Sequence, residues 1–504
     1  MMKTTITNKN YFHQLQFSVL GTFIFYTAAN GFILFNYVPQ HDSLNYISNF
    51  TGNWELMLGR FFLPIYSFFR GKLTVPLLTG IVSIICLSIT TYILTDLFEI
   101  QSPLYILLAA AFLSANITQT EILSSFIYIE DACMLSAMLA CLSVFILNKT
   151  NKLTWRALSG VLLVVSMGLY QAFLATAATL ILLLSMKEIL KGGKFGREEI
   201  RKLILNTFTL VVACIIYFLI KNLIMMTSGL QEASDYHSLT NILHDLGSIP
   251  SRLYVNYGSK ISMFFIRKEM NLGRIGNCLL AISAVFVIYR ISRLQKINFK
   301  TRLIFFTLFL ISTLTALMFN IGTGMIAYRL SFAVFLYYVF LLSILDVFQY
   351  SFSGKIITSR AVCIFLSLVI WSNLVYSNGA YTTQKVIFDR SISLYTRVLD
   401  DMYEIPEYVH NKTPVILLGD YTFDDYAYDF SKKEYRDLGT FKNTSVTYPL
   451  TVKNLMRYLG EEVNLVQDEN TVSKFLEKKE TKDMPSFPYK GYIQMVDNYL
   501  VIQF

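Results

Sequence analysis

The sequence predicts an all-α polytopic membrane protein with about eleven transmembrane helices, followed by a small C-terminal α/β domain. Ten stretches contain no Asp, Glu, Lys or Arg, and most approach the ~20 apolar residues that cross ~30 Å of hydrocarbon. Only 15% of the residues are charged, against ~25% in a typical soluble protein. The net charge of +9 comes from short basic loops between these stretches, so it does not indicate nucleic-acid binding.

The predicted helices follow the uncharged stretches in order. They span 14–37, 74–97, 103–117, 131–148, 157–168, 171–186, 203–223, 275–290, 303–319, 329–348 and 361–380. Positively charged loops of membrane proteins stay in the cytoplasm. The basic loops therefore place the N-terminus inside and the end of the last helix outside.

The uncharged stretch 157–186 is predicted to cross the membrane twice. Basic residues flank it on both sides, from Lys149 to Arg156 and from Lys187 to Lys202, so both flanks are expected in the cytoplasm. One helix of this length would be ~45 Å long, too long for a simple crossing. We therefore expect two short helices that meet near Gly168–Gln171.

The segment 385–504 has ordinary polarity and is predicted to be an extracytoplasmic α/β domain, separate from the transmembrane domain 1–384. Pro414–Gly419 is typical of a buried strand, and Thr451–Gly460 of a short helix. The last 14 residues alternate apolar and polar side chains around Asp497-Asn498, which indicates a β-hairpin.

The first candidate site lies in the predicted outer loop 38–72, which holds His41, Asp42, Glu55 and Arg60. Trp54–Phe69 is predicted to be an amphipathic helix in the membrane interface. Its expected anchors are Trp54, Phe61, Phe62 and Phe68. The alternative is a solvated loop and an interfacial helix without a catalytic role.

The second candidate site is the acidic segment that contains Glu121, Glu130 and Asp131, where an apolar helix begins. Carboxylates at the edge of the hydrocarbon are costly to desolvate and usually face a water-filled cavity. Alternatively, they only favour the dipole of the helix that they begin.

The third candidate site combines the predicted break at Tyr170 and Gln171 with Arg329, which lies between two uncharged stretches. A break at membrane depth is tolerated where it lines protein or a cavity. A guanidinium group is suited to holding a phosphate. The alternative for Arg329 is an interfacial cation that extends toward water.

Other patterns favour no further chemistry. Asp424-Asp425, and His237 with His244, are more typical of solvated loops than of metal sites, and no metal ligands are assigned. The sequence contains no phosphate-binding loop of the ATPase type and no common hydrolase motif. Whether a divalent metal is required stays open.

The order of these motifs resembles the GtrII family of membrane glucosyltransferases, the serotype-converting enzymes that decorate O-antigen. An early acidic residue, Asp42, is followed by Gly59-Arg60, then by Tyr128–Asp131 and by Gly168–Ala172. The resemblance covers roughly residues 15–345.

The resemblance implies a GT-C-like fold and a location in the cytoplasmic membrane. It also implies transfer of glucose from a polyprenyl-phosphate carrier to a polysaccharide at the outer face. On this basis Asp42 and Asp131 match acidic positions of the family, and Arg60 matches the Gly-Arg position. His41 stands where the family often has a second acidic residue, which leaves open which group is the base.

Glycosyl transfer requires a base for the acceptor hydroxyl and stabilisation of the leaving phosphate. Asp42 or Asp131 is the expected base, and Arg60 or Arg329 the expected phosphate ligand. The catalytic candidates are Asp42, Glu130 and Asp131, and the substrate-binding candidates are His41, Arg60, Glu121, Tyr170, Gln171 and Arg329. The expected partners are a polyprenyl-phosphate sugar, a polysaccharide acceptor and the lipid bilayer.

Three other functions are weighed against this one. A transporter or flippase of lipid-linked sugars needs polar groups along a path to both sides, whereas these charges crowd the outer end. An O-antigen polymerase or ligase usually has a large outer loop between late helices, whereas 320–328 is short. In a non-catalytic envelope-assembly partner, Asp42 and Asp131 would be dispensable.

Overall fold

The computed structural model describes residues 11–39, 41–44, 46, 52–230, 246–266, 271–348, 355–421 and 447–504. The described chain is mostly helical, with a small mixed sheet near the C-terminus. The helices are α1 Tyr11–Phe35, α2 His41–Leu44, α3 Asn53–Met57, α4 Leu63–Arg70, α5 Pro76–Leu97, α6 Pro103–Ser114, α7 Ile117–Phe126, α8 Glu130–Lys149, α9 Leu153–Leu169, α10 Leu174–Gly192, α11 Arg197–Ser228, α12 Ile249–Ile261, α13 Asn271–Leu294, α14 Phe299–Ala316, α15 Met318–Thr323, α16 Leu336–Phe348, α17 Lys355–Tyr403, α18 Pro449–Tyr458, α19 Glu469–Glu477 and α20 Lys479–Lys482. The strands are β1 Pro414–Leu418, β2 Asn464–Leu465, β3 Ile493–Val496 and β4 Tyr499–Gln503.

Eight helical segments of the described chain are long and apolar enough to cross a membrane, so the protein is a multi-pass membrane protein. They are Tyr11–Phe35, Pro76–Leu97, Pro103–Lys149, Gln171–Gly192, Arg197–Ser228, Leu272–Arg293, Phe299–Ala316 and Arg360–Tyr403. Two shorter apolar helices are Leu153–Leu169 and Phe332–Asp346. The segment Pro103–Lys149 contains two of the crossings predicted from the sequence, 103–117 and 131–148.

The predicted break in 157–186 is confirmed. Helix α9 ends at Leu169, Tyr170 is extended with φ −157° and ψ 110°, and α10 begins at Leu174. Near the start of α9, Arg156 donates to Asn206 of α11. Near the end of α10, Lys187 donates to the carbonyl of Leu97 at the end of α5.

These contacts place both flanks of the break at one end of the helices. The basic side chains there are Lys149, Arg156, Lys187, Lys191 and Lys202, and we call this the basic end. Lys149 pairs with Asp96 at the end of α5, and Lys202 donates to Asn148 at the end of α8, which joins these helix ends. At the opposite end, the amide of Phe62 donates to the carbonyl of Gly168. The α9–α10 pair therefore runs from the basic end to the opposite end and back.

Two predicted helices are wrong in their bounds. The interfacial helix Trp54–Phe69 is divided into α3 and α4, because Gly59 has a φ of +78° that an α-helix does not allow. Of its four predicted anchors, Phe61 is buried, whereas Trp54 and Phe68 are exposed.

The helix predicted for 329–348 begins at Leu336, and Arg329 instead lies in a 3₁₀ turn, Tyr328–Leu330. The carboxylate of Glu121 accepts the backbone N–H groups of Tyr328 and Arg329 at 2.7 and 3.2 Å. These two N–H groups bond to a side-chain carboxylate, whereas in a continuous helix they would bond to backbone carbonyls.

The chain divides into two compact units. The helical unit comprises Met1–Phe35, Phe50–Leu123 and Tyr128–Asn378, and the sheet unit comprises Asn36–Asn49, Ser124–Ile127 and Gly379–Phe504. Each unit is described below by itself.

The sheet unit contains a mixed four-stranded sheet in the order β2-β1-β4-β3. Strand β1 is parallel to β2 and β4, and β3 is antiparallel to β4. Asp497 and Asn498 have φ angles of 48° and 63°, as a tight two-residue hairpin turn requires. The strand, the short helix and the C-terminal hairpin predicted for this part are all confirmed.

A buried carboxylate, Glu461, ties α17 to the chain after α18 within the sheet unit. It accepts bonds of 2.6 Å from the hydroxyls of Tyr403 and Tyr408, and Nδ1 of His410 lies 2.8 Å from both of its oxygens. Burial raises the pKa of Glu461, but these donors outweigh burial and leave the pKa below its usual value of 4.5.

We expect Glu461→Gln to destabilise the sheet unit by about 1.5–3 kcal/mol at neutral pH, because charge-assisted bonds to the carboxylate are lost. A depressed pKa stabilises the fold above pH 4.5, and that contribution is lost as pH falls through the lowered pKa. Hydrogen exchange of peptides covering β1 and β4, corrected for intrinsic rates, measures both effects. Equal acid sensitivity in the wild type and Glu461→Gln would contradict this assignment.

Candidate active site

Among the described residues of the helical unit, four carboxylates are fully buried at the end opposite the basic end. They are Glu55, Glu121, Glu130 and Asp131, and we call this the acidic end. A buried carboxylate is costly unless donors surround it. The partners of each group therefore show what the acidic end is built to hold.

Glu130, the first residue of α8, is held by three neutral donors. The hydroxyl of Tyr26 on α1 donates to it at 2.9 Å, and Ser83 on α5 and Gln119 on α7 also donate. One carboxylate thus fixes three helices against the start of α8.

Asp131, the next residue, is held by a cation and a hydroxyl from α4. Arg70 donates through Nη1 at 2.6 Å to one oxygen, and Tyr66 donates at 2.7 Å to the other. Sequence reasoning missed both partners. The available signal was a basic residue, Arg70, in a predicted outer loop, where the charge bias predicts few.

The third carboxylate, Glu55, pairs with the predicted substrate-binding residue Arg60 at 2.9 Å. The guanidinium carbon of Arg60 lies 4.7 Å from the ring centre of Tyr170, at the break between α9 and α10. This is a cation–π distance. The structure therefore brings together Arg60 and Tyr170, which the sequence predicted separately.

The turn that carries Arg60 is fixed by the same break. Gln171 donates to the carbonyl of Leu58 at 2.6 Å, and the Tyr217 hydroxyl donates to the carbonyl of Gly59 at 3.0 Å. A Cβ at Gly59 would lie 2.5 Å from that hydroxyl, so the close approach requires glycine. Tyr217, on α11, was missed by sequence reasoning.

The fourth carboxylate, Glu121, pairs with Arg329, whose Nη1 lies 2.6 Å from Oε1. Two residues that the sequence predicted to bind substrate therefore bind each other. The charges of both Arg60 and Arg329 act on Tyr170, so the two ion pairs lie at the same end of the helices.

Two candidates cannot be placed in this arrangement. His41 and Asp42 belong to the short helix α2, but their side chains lie outside the described part of the chain. The catalytic role expected of Asp42 therefore stays a prediction. His237, His244, Asp424 and Asp425 also lie outside the described residues.

The acidic end is an array of charge pairs rather than a cluster of free acids. Three of its four carboxylates contact an arginine, and the fourth, Glu130, contacts neutral donors. Within the described ranges, no group of three or more His, Cys, Asp or Glu residues could hold a metal ion. The arrangement fixes three guanidinium groups and can position them as donors for an anion.

The fold and this end define a multi-pass membrane protein with buried arginine–carboxylate pairs at one end of its helices. Residues 31–345 match the family described as Glucosyl transferase GtrII, and the chain belongs to this family. Membership implies glucosyl transfer and confirms the resemblance that the sequence motifs predicted. No curated protein and no solved structure matches the chain.

We expect Arg70→Ala to destabilise the protein by about 3–5 kcal/mol, because it leaves the buried carboxylate of Asp131 without its cation. Asp131→Asn combined with Arg70→Ala should recover part of this loss, since no unpaired buried charge remains. Thermal unfolding of the purified protein in detergent measures both variants. Additive losses would show that the two side chains do not act as a pair.

Proposed function

We propose that the protein transfers glucose from a polyprenyl-phosphate donor to a cell-surface polysaccharide, such as O-antigen or another cell-wall glycopolymer. The supporting observation is that Arg60, held over Tyr170, and Arg329, paired with Glu121, are both fixed at the acidic end. Two guanidinium groups fixed at the same end of a helix bundle suit a phosphate on a lipid carrier.

The proposed reaction site faces the outside of the cytoplasmic membrane. The basic end carries the lysines and arginines that the charge rule keeps in the cytoplasm, so the acidic end is placed outside. In this proposal the helical unit is a GT-C-like bundle that crosses the membrane eleven times, and residues 385–504 form a domain outside the cytoplasm.

The proposed chemistry is a single displacement at the anomeric carbon of glucose. The acceptor hydroxyl oxygen forms a bond to this carbon, and the bond from the carbon to the phosphate oxygen breaks. The hydroxyl proton goes to a carboxylate, and the lipid phosphate leaves with the electron pair. Arg60 and Arg329 are placed to stabilise that phosphate.

Asp42 is the proposed base. Asp131 is buried, and both of its oxygens already accept bonds from Arg70 and Tyr66, so this carboxylate is engaged by protein donors. Asp131 and Glu130 instead hold α1, α4 and α5 in place around the start of α8.

The proposal predicts that Asp42→Asn lowers turnover by about 10²–10⁴-fold, the usual contribution of a general base. The assay follows transfer of labelled glucose from polyprenyl-phosphate glucose to polysaccharide in membranes. Asp96→Asn, at the basic end, is the matched control and should keep near-normal turnover per molecule. Normal turnover in Asp42→Asn would remove Asp42 from the mechanism, and transfer from a nucleotide sugar alone would refute the lipid donor.

The orientation is tested by labelling single cysteines in a variant without the six native cysteines. A cysteine in place of the exposed Tyr489 should react with an impermeant reagent in intact cells with an opened outer envelope. A cysteine in place of Lys194 should react only after the inner membrane is permeabilised. The reverse pattern would place the acidic end in the cytoplasm.

A further inference from the structure

Helix α12 presents a polar ladder to the loop that carries Arg329. Arg252, Asn256 and Lys260 are spaced four residues apart and so share one face of the helix. Arg252 donates to the carbonyl of Gly322 at 2.8 Å, and Asn256 to that of Asn320 at 3.2 Å. This spacing was visible in the sequence but was not used to predict a site.

The last member of the ladder, Lys260, is poorly satisfied for a buried cation. It is only 5% exposed, and its Nζ lies 3.5 Å from the carbonyl of Ala327 and 4.1 Å from the ring centre of Tyr328. The same carbonyl accepts a much shorter bond, 2.6 Å, from Asn320. The loop is therefore closed without Lys260, whose ammonium group has three donors to satisfy.

Lys187 at the basic end shows how a buried lysine is satisfied elsewhere in the chain. It is 3% exposed, donates to the carbonyl of Leu97 at 3.0 Å and lies 3.3 Å from a carboxylate oxygen of Glu99. Among the described residues, Lys260 has no such carboxylate within ion-pair distance. The difference indicates that Lys260 is built for a partner other than a protein carboxylate.

The charges around Lys260 point to an anion. The carboxylate whose charge acts on Lys260 is Glu121, and Glu121 is bonded directly to Arg329. Lys260 itself forms no ion pair with a carboxylate of the described residues, so a bound anion would supply its buried ammonium with a charged partner at little desolvation cost to the protein.

We propose that Lys260 binds the phosphate of the lipid-linked donor together with Arg329; this assignment rests on the proposed function. A phosphodiester carries one negative charge, which the single ammonium of Lys260 can balance. When the bond to glucose breaks, the phosphate becomes a monoester with up to two charges. The ammonium of Lys260 then stabilises the charge that develops on the leaving oxygen, so it contributes more to the transition state than to substrate binding.

The test measures binding of a short-chain polyprenyl phosphate, the matched polyprenol and inorganic phosphate to the purified full chain by calorimetry. The wild type should bind the phosphate lipid more tightly than the alcohol. In Lys260→Gln the ratio of these two affinities should fall by about 10- to 100-fold, as expected for the loss of a charge-assisted bond. Lys260→Arg keeps the charge and should retain most of the preference for the phosphate lipid. Unfolding midpoints confirm that each variant is folded.

Arg252→Gln and Lys187→Met are the controls, and each should stay within about 2-fold of the wild type because neither removes the charge beside Glu121. Equal losses in Arg252→Gln and Lys260→Gln would mean that Lys260 only holds the loop. A wild-type preference in Lys260→Gln would show that Lys260 does not bind the phosphate. A wild type that does not prefer the phosphate lipid would instead refute the donor of the proposed function. Equally tight binding of inorganic phosphate would refute a site for the lipid head group.

Discussion

Burial of carboxylates at one end of a membrane bundle is the constraint on which the helical unit depends. Apolar packing between helices specifies their register weakly, since lipid is as apolar as the side chains. A buried carboxylate is stable only where its donors reach it. It therefore fixes the positions of the helices that carry those donors, as well as affecting the stability of the fold. Glu130 and Asp131 gather α1, α4, α5 and α7 around the start of α8, and Glu121 holds the turn that carries Arg329.

The same groups therefore stabilise the elements that carry the residues proposed to act in catalysis. An Asp131 variant removes the partner of Arg70 and loosens α4, the helix that follows the Gly59-Arg60 turn. Loss of activity in such a variant does not identify a catalytic residue by itself. Activity per folded molecule separates a base from a residue that holds the helices in place. Variants of Asp131 therefore need a measurement of folding beside activity, so that they can be compared with variants of Asp42.

Local features of this fold were predictable from the sequence, and long-range partners were not. The charge-free stretches predicted the helices, and the basic flanks predicted the α9–α10 pair. Asp497-Asn498 predicted the terminal turn. The divided interfacial helix was missed because the φ of Gly59 depends on Tyr217, 158 residues away. The pairing of Arg329 with Glu121 was not predicted, because a separation of 208 positions in the sequence leaves no periodic signal.

The choice of cation differs between the two ends of the helical unit. The ion pairs described at the acidic end use Arg60, Arg70 and Arg329, whereas those at the basic end use lysines. A guanidinium has a planar set of donors that fixes geometry, and an ammonium is a compact charge on a flexible stem. Rigid pairs suit an end where helix termini and turns have to keep fixed positions. Lys260 departs from this division, since its mobile charge lies among fixed arginine pairs, where it can follow a phosphate as charge develops on the leaving oxygen.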